Sequence, residues 1–217
     1  MNFYKVKAHN AGPGGTLRGA PRGPVNVGNR IVQDILPGSY EIDVYYHAKR
    51  WPDIMHSLDC MFWSERVVKA FREAGLSGVD FYAQKLRKVD SKALQKLPDP
   101  HYHWAHALTG VPAVPHDRDR SDAIPGTVFD PATIDLSKAW PFNIDPRTGF
   151  YELSKGSLNL WKFDFAKWQG ADLFYISTVH TRYRYCTQRF KDLAEAHKFT
   201  NFRFTGALNP EGDWFFA

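Results

Sequence analysis

The sequence predicts an α+β protein, a mixed or antiparallel sheet with a few packed helices, and three observations lead there. Short runs of alternating apolar and polar residues recur, as from Tyr40 to Tyr46 and from Leu158 to Phe165. Two segments, 64–74 and 187–197, instead carry an apolar stripe at helical spacing. Aromatic residues make up 15% of the 217 residues and Cys only two of them, so rings rather than disulfides must fill the core. Hydrophobic residues at 43% and charged ones at 24% exclude a disordered chain. The length suits a single domain over 1–217, with a loop-rich middle at about 98–149.

In chain order, Phe3 to Lys7 reads as a short strand, and the Gly- and Pro-rich run 12–24 as coil. That run has neither the GxxxxGK[ST] nor the GxGxxG spacing of a phosphate-binding loop. Ile31 to Leu36 is a short apolar segment, and Tyr40, Ile42 and Val44 share one face of a strand. Cys60 to Trp63 is strand-like and leads into a helix that the Ser64 hydroxyl is placed to cap. Val67, Val68, Phe71 and Ala74 form its stripe, and Gly75 is its left-handed stop. Val79 and Phe81 alternate as a strand. Leu86, Val89, Leu94 and Leu97 follow a helical pattern that ends before Pro98. In 98–149, Asp145 to Gly149 offers turn chemistry for a hairpin between 140–144 and 150–153. Leu173 to Ile176 and Arg182 to Cys186 read as strands. Thr187 is a second helix cap, followed by a stripe of Phe190, Leu193, Ala194 and His197, a turn, and a strand with Phe202 and Phe204.

The units 60–81 and 183–204 therefore follow one order of strand, helix, turn and strand. Aligning Ser64 with Thr187 pairs Arg66 with Arg189, Gly78 with Asn201 and Phe81 with Phe204. Gly and Asn both tolerate positive φ, which gives their pairing a physical reason. This suggests a pseudo-repeat, although Arg66/Arg189 and Phe81/Phe204 are its only identities.

Motifs for chemistry are sparse. His101, His103 and His106 tempt a metal reading, yet no carboxylate or Cys lies at a recognised ligand spacing, so no metal site is assigned. No GxSxG occurs, and Cys60 and Cys186 read as buried thiols, so no catalytic residue and no cofactor is assigned. No run approaches the length of a membrane span, and no signal-peptide pattern opens the chain, which implies a cytoplasmic protein. A net charge of +5 permits an acidic protein or a nucleic acid as partner. Arg182, Tyr183, Arg184 and Tyr185 alternate basic and aromatic side chains, and are the candidate partner-binding residues.

The segment from Ala171-Asp172-Leu173-Phe174 through Cys186-Thr187-Gln188-Arg189-Phe190 to Thr200-Asn201-Phe202-Arg203-Phe204 resembles the close of a bacterial immunity-protein group. That group is linked to polymorphic or contact-delivered toxins and labelled by a double CxxCG motif. Trp63-Ser64-Glu65-Arg66 through Gly78-Val79-Asp80-Phe81 has the same grammar. This chain has no CxxC, so the zinc-ribbon-like element of the group is absent. The resemblance implies a non-enzymatic protein that neutralises a cognate toxin by burying an interface, and the net charge of +5 suits an acidic toxin surface. A nucleic-acid-binding module using the Arg/Tyr strand is the alternative.

Overall fold

The computed structural model describes residues 3–8, 14–27, 30–45, 48–56, 60–111, 113–115, 142–144, 151–153, 160–163, 167–176, 184–208 and 213–215. Sheet dominates, and the class is α+β. The first strands are β1 (Phe3–Ala8), β2 (Gly14–Arg18), β3 (Arg22–Val27), β4 (Arg30–Ile35), β5 (Glu41–Tyr45), β6 (Ile54–His56) and β7 (Met61–Trp63). Helix α1 (Glu65–Glu73) follows, then β8 (Val79–Ala83), β9 (Lys85–Val89), a 3₁₀ turn (Leu94–Lys96), β10 (His103–Ala107), β11 (Thr109–Val111) and β12 (Ala113–Pro115). The rest comprises β13 (Phe142–Ile144), β14 (Tyr151–Leu153), β15 (Leu160–Phe163), β16 (Leu173–Ile176), β17 (Arg184–Thr187), α2 (Gln188–Ala196), β18 (Phe202–Leu208) and β19 (Asp213–Phe215).

The pseudo-repeat is present and larger than the sequence suggests. One sheet has the order β6-β7-β10-β8; another has β16-β17-β1-β18, with β11 added beside β16. Their registers correspond, apart from a bulge between Tyr4 and Lys5 where β1 meets β18. Ile54 faces Trp63 as Leu173 faces Cys186, and Met55 faces Phe62 as Phe174 faces Tyr185. His103 faces Trp63 as Tyr4 faces Cys186, and Ala105 faces Phe81 as Val6 faces Phe204. The two differ in connectivity: β10 follows β8 along the chain, whereas its counterpart β1 precedes the whole second unit.

One core joins both sheets and both helices, with Val6, Trp63, Val67, Phe71, Ala105, Leu173, Cys186 and Phe190 among its buried residues. Trp63 stacks on Phe190 at 5.0 Å with 6° between the planes, and meets Phe71, Phe81 and Phe202 edgewise or tilted. Counterpart positions share this volume unequally: Trp63 corresponds to Cys186, Val67 to Phe190 and Phe71 to Ala194. Two matched halves that meet face to face cannot both place a large ring at the same central position, so sequence identity there is low by necessity. A second core lies on the other face of β7 and β10, where Met55, Phe62, Tyr102 and Trp104 pack on Ile42 and Val44 of the β2-β5-β9 sheet.

Two expectations change. Part of the Gly-rich run is strand, because Gly15 lets β2 close on the second core: a Cβ there would stand 2.8 Å from Ile42 Cγ2 and 3.0 Å from the Phe62 ring. The helical pattern at 86–97 is β9 plus a 3₁₀ turn. A bulge opposite Ile42 and Asp43 inserts Arg87, so Leu86 and Val89, three residues apart, both pack on the second core. The expected hairpin pairs Phe142–Ile144 with Tyr151–Leu153, its turn lying outside the described residues.

Candidate partner-binding surface

Both helices begin at a residue placed to cap them, but neither hydroxyl caps. Ser64 Oγ instead donates to Asp53 Oδ1 at 2.9 Å, and Thr187 Oγ1 to Asp172 Oδ1 at 2.7 Å. Each backbone N–H at these positions also bonds the carbonyl of the same aspartate, Ser64 to Asp53 at 2.9 Å and Thr187 to Asp172 at 3.0 Å. Each carboxylate then reaches the opposite half. Asp53 accepts from the Thr200 N–H at 2.8 Å and Asp172 from the Ser77 N–H at 3.1 Å, in the turns after α2 and α1. Arg66 and Arg189 complete the pattern, each 3.2 Å from its aspartate. Each also donates onward, Arg66 to the His197 carbonyl closing α2 and Arg189 to the Ala74 carbonyl closing α1. The result is a reciprocal clasp of two shielded carboxylates. Flanking it, Tyr4 donates to Gln188 as His103 bonds Glu65, again at counterpart positions.

This clasp explains why Arg66 and Arg189 are among the few shared residues. The sequence missed Asp53 and Asp172 as members; the available signal was an Asp leading into an apolar strand, paired with Ser/Thr-x-Arg at a helix start.

Of the predicted contact strand, Arg182 and Tyr183 lie outside the described residues. Tyr185 is fully buried, packed on Phe174 at 5.8 Å, so it offers no contact face. The physical reason is that its face of the sheet is covered: its cross-strand neighbours Phe174 on β16 and Lys5 on β1 are buried as well. Arg184 is half-buried with its guanidinium 5.8 Å from the Tyr175 ring centre. Burial pushes the His106 imidazole down in pKa, and the Arg184 charge adds to this.

The histidines are dispersed. His101 stands before β10 with φ 51, its N–H bonded to Asp99 at 2.7 Å. His103 turns to Glu65 at the start of α1, while His106 packs on Trp104 at 5.4 Å on the opposite face. Among the described residues no group of three metal-binding side chains converges. Cys60 and Cys186 are both buried, and burial pushes the Cys186 thiol up, disfavouring the thiolate.

The outward face of the β2-β5-β9 sheet is different in kind. Asp43, its side chain 11% exposed, receives Arg18 Nε at 2.7 Å and Arg87 Nε at 2.8 Å. The Arg87 hydrogen bonds, with help from Arg18, hold this carboxyl at about 2 against the cost of its burial. Lys85 lies 3.7 Å from Glu41, and Lys88 3.1 Å from Asp90. Two half-exposed guanidinium groups are thus fixed in place by one shielded anion. The arrangement can present ordered donors to a carboxylate-bearing surface.

No family model and no curated protein matches this chain.

Proposed function

We propose that the chain is an immunity protein, which binds a cognate bacterial toxin in the cytoplasm and blocks it by covering its surface without catalysis. The reading starts from the resemblance of 171–204 and 63–81, and one observation carries it further. Those two segments are the ones that Asp53 and Asp172 clasp together. The segments that carry the resemblance are then parts of a pre-ordered frame in this chain, and a frame of this kind serves recognition. Side chains already held in place lose less freedom on association, on the order of 0.5–1.5 kcal/mol for each one. Aromatic anchors would supply the buried centre of the contact, and a charged rim would set encounter rate and partner choice. Among the described residues no helix is long and apolar enough to cross a membrane.

The test is genetic. An adjacent reading frame should encode a toxin, and co-expression of this protein should restore growth to cells producing it. Absence of a toxin gene together with absence of rescue overturns the proposal.

A further inference from the structure

We infer that the acidic surface of the partner docks on the outward face of the β2-β5-β9 sheet and on the turn that follows β9, an assignment that rests on the immunity reading. The first argument is where the charge resides. Residues 85–96 hold Lys85, Arg87, Lys88, Lys92 and Lys96 against the single acid Asp90, and so carry +4 of the net +5 of the chain. All five cations are exposed. Exposed Arg18 joins them across the sheet through Asp43, and exposed Lys49 joins through the contact of Ser91 Oγ with the Ala48 carbonyl at 2.7 Å.

Shape is the second argument. A recess of about 450 Å³, lined by Ala48, Lys49, Asp90, Ser91, Lys92 and Ala93, opens within this patch. It can receive an acidic side chain between Lys49 and Lys92. The third argument concerns partner class. Glu41, Asp43 and Asp90 are interspersed among the cations and fix Arg18, Arg87, Lys85 and Lys88. Such mixed charge matches the rim of a protein surface, whereas a phosphate backbone would meet repulsion at every acid.

The experiment measures the affinity of the purified protein for the product of the adjacent reading frame, at about 0.15 M salt. The K85E/K88E/K92E variant should bind at least tenfold more weakly, chiefly through slower association, with only a small drop in thermal midpoint because the ion pairs it loses to Glu41 and Asp90 are exposed. K69E/K198E, reversed at exposed positions outside the patch, should bind as the wild type does. If the reversed variant does not fold, the triple Lys→Ala variant should show the same loss in weaker form. Wild-type binding that survives the triple change overturns the docking surface and leaves the immunity reading standing. Failure of the wild type to bind overturns that reading, and the surface with it. Salt-dependent binding to a random oligonucleotide in place of the protein overturns the partner class.

Discussion

The two halves of this protein agree in their inner layer and part company in their outer one. Inside, strand order and clasp correspond, and so does register up to one bulge in β1. Outside, Tyr102, just before β10, and Trp104 of β10 are covered by a charged three-stranded sheet, whereas of their counterparts on β1 Phe3 packs on Trp168 and Phe174 and Lys5 is buried. The lesson is a division of labour. The clasp fixes how two helices and two sheets meet, while each outer face is free to differ, and the face over β10 bears the basic patch.

The sharpest way to break the correspondence is at its centre. Trp63→Ala removes the ring shared with Phe190 and should cost about 4 kcal/mol in urea unfolding. The clasp comes next. Asp53→Ala and Asp172→Ala each strand an arginine, a hydroxyl and a turn N–H, and each should cost about 3 kcal/mol. Equivalent roles predict values within about 1 kcal/mol of each other, and a large imbalance would show that only one half depends on its aspartate.

The turns provide a finer comparison. Gly78 has φ 93, and a Cβ would stand 2.3 Å from the Leu173 carbonyl oxygen; its counterpart Asn201 has φ 69 and donates to the Ile54 carbonyl at 2.8 Å. Gly75 has φ 62 with open space around it, and its counterpart Lys198 holds φ 53 with a full side chain. Gly78→Ala should therefore cost about 2–3 kcal/mol and Gly75→Ala only about 1, read from thermal midpoints. The last comparison is electrostatic and appears only at alkaline pH. Burial, aided by Lys7, lowers Lys5 from an ordinary 10.5 to about 8. Between those values the unfolded chain binds the proton more strongly, so stability rises with pH from about 8 to 10. Relative to wild type, Lys5→Met should lack that rise, and an unchanged slope would assign it to another group.

Much of the fold was legible where one rule acts alone. The stripes of α1 and α2 and the φ > 0 stop at Gly75 follow from local periodicity and backbone sterics, and the structure bears them out except at the last stripe positions, Ala74 and His197, which are exposed at the helix ends. Failures arose where a distant partner decides. A bulge opposite β5 made β9 mimic a helix, and long-range aspartates drew Ser64 and Thr187 away from capping. Asp43, Arg18 and Arg87 come from three strands far apart in sequence, so no local spacing could reveal them. Tyr185 was misread because alternation does not say whether one face of a strand is covered or both are.

The position of β1 carries a consequence for biosynthesis. Its partners β17 and β18 emerge from the ribosome some 180 residues after it, a delay of roughly 10–40 s at common elongation rates. The first four-stranded sheet can close as soon as β10 has appeared, while β1 waits with both edges open. A segment translated well before both of its partners is therefore among the last to find its place, and in that interval the nascent chain needs shielding from aggregation.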